Sequence, residues 1–280
     1  MKKMKSGFKR ELARKGASVL ISALVVSSTT LTITVAALMF SDNLLRIQLD
    51  VSEFEQARNV LMTLADMIED VSANPLSAHY VRFNVRTSRP CFMDDYSTIS
   101  VTVEGLPEPV VQGKSGVIKV EGGPYVGTVE KKVLLGEDRL IVGDISEPLA
   151  ALFEEQNEGA RLWLDYLRVR VTSLGCFYYY DAGNGLRGYL NAVRIAYVNL
   201  TVGKTIGTGP VDIVARSVST RLSTVIIQNN NVTVRVTVDG DRTEEITLAG
   251  LETAESGGVS YPVVGTILQV LVSEVEVISE

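Results

Sequence analysis

A single histidine in 280 residues removes most hydrolytic and metal chemistry at once. One imidazole cannot build a multi-histidine zinc site, and a Ser-His-Asp relay would have to be centred on His79. No nucleophile motif accompanies His79, so it reads as a solvated side chain. Asp94-Asp95 and Asp239-Gly240-Asp241 carry oxygen ligands without the spacing of an EF-hand loop, and read as turns. Gly183-Asn184-Gly185-Leu186-Arg187-Gly188 does not open a helix, which argues against a phosphate cradle. Phe177-Tyr178-Tyr179-Tyr180 is the densest aromatic run. Such a run is either a platform for sugars or partner proteins, or a strand covered on both faces. No catalytic residue, cofactor or metal is expected, and the chain is not expected to be an enzyme.

The charges are distributed unevenly. Lys2, Lys3, Lys5, Lys9, Arg10, Arg14 and Lys15 crowd the first sixteen residues against Glu11 alone, leaving 20 basic and 32 acidic residues in the remainder. So acidic a chain is a poor nucleic-acid binder, because phosphate contacts need clustered Lys and Arg. No charged residue occurs from Ala17 to Ser41. Those residues would span about 37 Å as a helix, enough to cross a hydrocarbon core of about 30 Å. The basic cluster precedes the run and Asp42 follows it, so the N-terminus is expected in the cytoplasm and the rest outside.

The helical pattern continues beyond the apolar run. Neither Gly nor Pro occurs between Gly16 and Pro75, and Ile47, Val51, Phe54, Ala57, Leu61, Leu64, Ile68 and Val71 fall on one helix face. Asn74-Pro75 is a stop signal. The spacing predicts a helix over 17–74, with a membrane or filament-core half (17–41) and an amphipathic half (42–74). Its first half is rich in hydroxyls. Ser22, Ser27, Thr30 and Thr34 are candidates for close packing between helices, or they satisfy their own i−4 carbonyls.

Arg14-Lys15-Gly16-Ala17-Ser18, directly ahead of the apolar run, resembles the leader of archaeal type IV pilin-like proteins. In that family a membrane aspartic peptidase cuts after a basic pair and Gly. The resemblance implies a leader over 1–16 and cleavage between Gly16 and Ala17. It also implies a mature helix that leaves the bilayer to pack in a filament core. The bacterial pattern has Glu at the fifth mature position, where this chain has Ile21; many archaeal members also lack that Glu. A competing reading is an ordinary secretory signal cut near Val35-Ala36-Ala37, but the apolar region is long and the helical pattern does not break there.

After Pro75 the periodicity turns to alternation. Val81, Phe83 and Val85 alternate with polar residues, and Val-, Ile-, Thr- and Tyr-rich runs occupy 99–103, 117–120, 162–171, 193–202, 211–227, 232–238 and 263–278. Asp239-Gly240 between two such runs is a hairpin signal. Only Glu147 to Gln156 looks helical in this part. The expected fold class is α+β: a long N-terminal helix followed, over 75–280, by an antiparallel β-sandwich-like extracellular domain without crossover helices.

Outside the cytoplasm, Cys91 and Cys176 are expected to pair. The loop closed would contribute about 4.6 kcal/mol by chain entropy. Asn199-Leu-Thr and Asn231-Val-Thr match the N-glycosylation pattern. The reading that results is a structural subunit of a pilus-like cell-surface filament. Its partners are copies of itself, the membrane before assembly, and other pilin-like subunits or cell-envelope components. The alternative is a monomeric, single-pass, membrane-anchored binding or envelope-linking domain.

Overall fold

The computed structural model describes residues 4–83, 88–128, 130–157, 159–181, 187–204, 210–256 and 258–279; the side chains of residues 4–19, 89, 177–181, 187 and 256 lie outside the description. One helix, α1, runs from Met4 to Ala73. It stops where the proline requires. The Asn74 amide donates to the Asp70 carbonyl at 3.1 Å, its side-chain Nδ2 donates to Asp70 Oδ1 at 2.9 Å, and Leu76 turns the chain with φ of 65°. The chain divides into two compact units, Met1–Leu49 and Asp50–Glu280.

Among the described residues the strands are β1 (Ala78–Phe83), β2 (Arg89–Val103), β3 (Val111–Glu121), β4 (Lys131–Leu135), β5 (Ile141–Val142), β6 (Ala151–Gln156) and β7 (Ala160–Asp165). There follow β8 (Val169–Asp181), β9 (Arg187–Val202), β10 (Val211–Ile227), β11 (Val232–Val238), β12 (Arg242–Leu248), β13 (Thr253–Ser256) and β14 (Val259–Ser279). They form two sheets. The first has the order β1-β10-β14-β9-β8-β5, with β13 paired to β14; the second has β12-β11-β2-β3-β7-β6-β4. The α+β class therefore stands, and most strand pairs are antiparallel.

Three expectations are corrected. First, β9 and β14 run parallel along their length, as do β5 and β8. A parallel pair needs a long crossover. Here strands β10 to β13 supply it instead of a helix. Second, the apolar run 162–171 is two strands in different sheets, β7 and β8, with the chain crossing at Tyr166, Leu167 and Arg168. Third, Glu147 to Gln156 is not helical. Residues 151–156 are strand β6, and burial of Ala151, Leu152 and Phe153 in succession hides the alternation expected of a strand.

The core of the second unit lies between elements of both sheets and the last turns of α1. Phe54, Ala57, Leu61, Leu64, Ile68 and Val71 are buried in one cluster with Ile118 and Val120 of β3, Leu162 and Leu164 of β7, and Val198 and Leu200 of β9. Their 3-4-3 spacing is the helical face read from the sequence. Val51, on the same face, is exposed. Polar groups lock the register. Glu69 Oε1 accepts the amides of Leu149 and Ala150, the latter at 3.1 Å. The Ser273 hydroxyl donates to the Ser72 carbonyl at 2.8 Å. Arg58 pairs with Glu55 at 2.6 Å and with buried Glu154, which also accepts the Thr128 hydroxyl. At the start of this face Asp50 is buried against Gly123, where a Cβ would require the carboxylate to shift.

A second cluster fills the other end, with Ile99 and Val101 of β2, Val169 and Val171 of β8, Ile195 of β9 and Val234 and Val236 of β11. The β11–β12 hairpin turns through Asp239 (φ 53°) and Gly240 (φ 83°), as the dipeptide predicts for a turn that needs positive φ twice.

Candidate functional site: the exposed helix and an aromatic cleft

Within the first unit, the described apolar side chains of α1 face outward without cover. Leu24, Leu31 and Leu38 are 71%, 66% and 65% exposed. The span is long and apolar enough to cross a membrane. Its hydroxyls are turned inward on their own backbone: Ser27 donates to the Ala23 carbonyl at 2.8 Å, Thr30 to Val26 at 2.8 Å and Thr34 to Thr30 at 2.9 Å. Thr29 and Thr32 do the same. A threonine bonded in this way hides its polar hydrogen and presents a methyl, so the run is more apolar than its composition suggests. Ala23, Ser27, Thr30, Thr34, Ala37 and Ser41 recur at steps of four and three and make one narrow face of small residues. Ser22 lies about 100° round the helix from that face. Gly16 and Ala17 lie within α1, and their side-chain surroundings fall outside the description.

The remaining candidate residues scatter over the second unit. Cys91 and Cys176 are not bonded: both are free thiols, which overturns the expected disulfide. The strand faces explain it. Phe92 packs on the core, so its neighbour Cys91 points out of the second sheet, opposite Lys119. Cys176 stands in the first sheet, opposite Asn191. A bridge needs Cβ atoms about 3.8 Å apart, and a thiol on an outer sheet face cannot reach across the core. Asn231 is exposed at the start of β11 and its Oδ1 accepts the Gly250 amide at 3.2 Å. Asn199 is half-buried on β9, next to Tyr197. His79 pairs with Asp70 at 2.7 Å on the surface. The Phe177–Tyr180 backbone belongs to β8, but its side chains and residues 182–186 of the glycine-rich segment lie outside the described residues.

The structure adds a feature that the sequence reading missed. On the outer face of the second sheet, Cys91, Lys119, Trp163, Phe153 and Val133 are successive cross-strand partners on β2, β3, β7, β6 and β4. Beside this row lies a cleft of ≈ 460 Å³. Trp163 Nε1 donates to Glu155 Oε1 at 2.6 Å, the Lys119 ammonium stands 5.2 Å from the indole centroid, and the Tyr96 ring is 5.7 Å away at a tilt of 38°. Lys131 lies 4.6 Å over the Phe153 ring and pairs with Asp138 at 2.8 Å; Arg242 holds the same carboxylate at 3.0 Å. The Lys131 hydrogen bond keeps Asp138 below the usual carboxylate range. Asp165 is the opposite case. Burial pushes its carboxyl up to about 6, against the partial relief of the Leu167 amide at 3.2 Å. The signal for this site was present in the sequence. In Ala160-Arg-Leu-Trp-Leu-Asp165, alternation turns Leu162 and Leu164 inward and Trp163 and Asp165 outward.

No family model, no curated protein and no solved structure matches the chain. Function therefore rests on the geometry alone. Among the described residues no cluster of three or more His, Cys, Asp or Glu could hold a metal ion.

Proposed function

We propose that the chain is a non-catalytic structural subunit of a type IV pilus-like surface filament, polymerising through its N-terminal helix. The observation that carries the reading is that one helix, α1, has two contrasting segments along its length. Its apolar residues from Phe54 to Val71 are buried in the core of the second unit, while those from Leu20 to Phe40 are exposed among the described residues. Each large apolar side chain buried is worth about 1.5–3 kcal/mol, so such a run demands lipid or neighbouring copies. A small-residue face at steps of four and three suits close packing of like helices. On this reading the helix is membrane-held before assembly with its basic end in the cytoplasm. The leader 1–16 is removed at Gly16-Ala17, and the β unit stands outside as a sandwich-like module.

The test is made on native protein from cell-surface fractions. N-terminal sequencing should find Ala17, electron microscopy should show filaments containing the protein, and a photocrosslinker at Thr30 should join copies. A protein that retains Met1, stays monomeric in the membrane and gives no crosslinks would be an anchored binding module instead. The cleft on the second sheet is the observation that favours that second reading.

A further inference from the structure

We infer that the outer cleft of the second sheet is a binding site for a neutral oligosaccharide, held against Tyr96 and Trp163. The cleft's volume of ≈ 460 Å³ lies within the range of small-molecule sites. Its walls combine the two groups that saccharides need. The first is aromatic surface. Tyr96 is 50% exposed and tilted 38° from Trp163, so the two rings open a shallow trough onto which the C–H faces of a sugar can stack. The second is spare hydrogen-bond acceptors.

Three carboxylates line the cleft, and each has one oxygen engaged by the protein: Glu155 by the Trp163 indole at 2.6 Å, Asp165 by the Leu167 amide at 3.2 Å, and Asp239 by the Thr98 amide at 2.8 Å. No described residue claims their second oxygens, which leaves them for hydroxyl donors.

The charges disfavour an anionic ligand and a metal ion. An anionic ligand would need free cations, but Lys131 and Arg242 both hold Asp138. A metal would need converging carboxylates, and among the described residues no such group exists. Spread acceptors beside rings match an elongated ligand with many hydroxyls. The inference does not depend on the filament reading, because every residue of the site lies in the second unit.

Trp163 is the only tryptophan in the chain, so its fluorescence reports the cleft directly. The full chain in mild detergent is titrated with hexasaccharides of glucose, mannose, galactose and N-acetylglucosamine. At least one should give a saturable change in emission. Tyr96→Ala should weaken it roughly tenfold, with the far-ultraviolet dichroism unchanged, as expected for loss of a stacking ring. Asp239→Asn, which keeps the Thr98 acceptor and tolerates the positive φ, should weaken it severalfold and serves if Tyr96→Ala does not fold. Three results would overturn the proposal: no saturable response to any of the four sugars, equal affinity in both variants, or saturation by a lysine-rich hexapeptide and not by sugars. The last would assign the cleft to a cationic partner.

Discussion

Tyr166 donates its hydroxyl hydrogen to the main-chain carbonyl of Ala65 across 2.8 Å, and both residues are closed to solvent. The bond joins the residue at which the chain leaves the second sheet for the first to the middle of the buried helical face. Removing the hydroxyl leaves a buried carbonyl with one partner fewer, so Tyr166→Phe should cost about 1–2 kcal/mol in urea unfolding followed by Trp163 emission. Burial also lifts the Tyr166 phenol well above 10. The unfolded phenol ionises near 10, so this stabilisation is complete below about pH 10 and is lost as pH rises toward the folded value. Tyr166→Phe should flatten that alkaline loss; a parallel loss in both proteins would refute the assignment.

Asp165 gives a pH dependence at the acidic side. Its folded value of about 6 is raised above the ordinary value of 3.8, so its contribution is complete below about pH 4 and is lost as pH rises through 6. Asp165→Asn should therefore stabilise the protein at pH 7.5, by roughly 1–3 kcal/mol, and match the parent at pH 4. Thermal melts at the two pH values measure this. A variant less stable than the parent at pH 7.5 contradicts it.

The free thiols predict a simple mass spectrum. Alkylation without reductant, under denaturing conditions, should add two groups, one at Cys91 and one at Cys176. In the folded protein Cys91 should react first, because it is exposed while burial raises the Cys176 thiol. A protein that takes up label only after reduction would restore the disulfide.

In the apolar run two substitutions separate insertion from packing. Leu24→Lys puts a charge amid uncovered apolar residues, at about 2.5–3.5 kcal/mol for insertion, and should reduce both membrane retention and assembly. Thr30→Leu keeps the apolarity and enlarges the small-residue face, so retention should persist while crosslinks between copies from a photocrosslinker at Thr34 fall. Equal crosslinking in Thr30→Leu would move the contact to another face.

How far the sequence could be read depends on what each segment packs against. The helical face from Phe54 to Val71 was legible because each of its positions meets one core. Strand 232–238 was legible because Val alternates there with Thr and Arg and only the Val side is buried; strand 211–227 shows such alternation over its first five residues. The division of 162–171 was not, since Leu162, Leu164, Val169 and Val171 are all buried, and nothing local says that they belong to different sheets. The cysteine pairing failed for a related reason. Compartment favours a disulfide, but pairing opposite Lys119 fixes the side of the sheet that Cys91 occupies. The cleft was half legible: alternation shows Trp163 outward, while its neighbours Tyr96, Phe153 and Asp239 are brought to it only by the sheet order.

β14 is the latest of these strands in sequence, yet it sits between β10 and β9 in the middle of the first sheet. During synthesis, then, β9 and β10 emerge long before the strand that joins them. Until it arrives, both wait with unpaired edges, and loop closure over distant segments makes such assembly slow. A chain cut before Val259 would leave these two strands unjoined, and should be a substrate for proteases rather than a shortened but folded protein. Closure of the first sheet therefore waits on this one strand, which bridges β9 and β10.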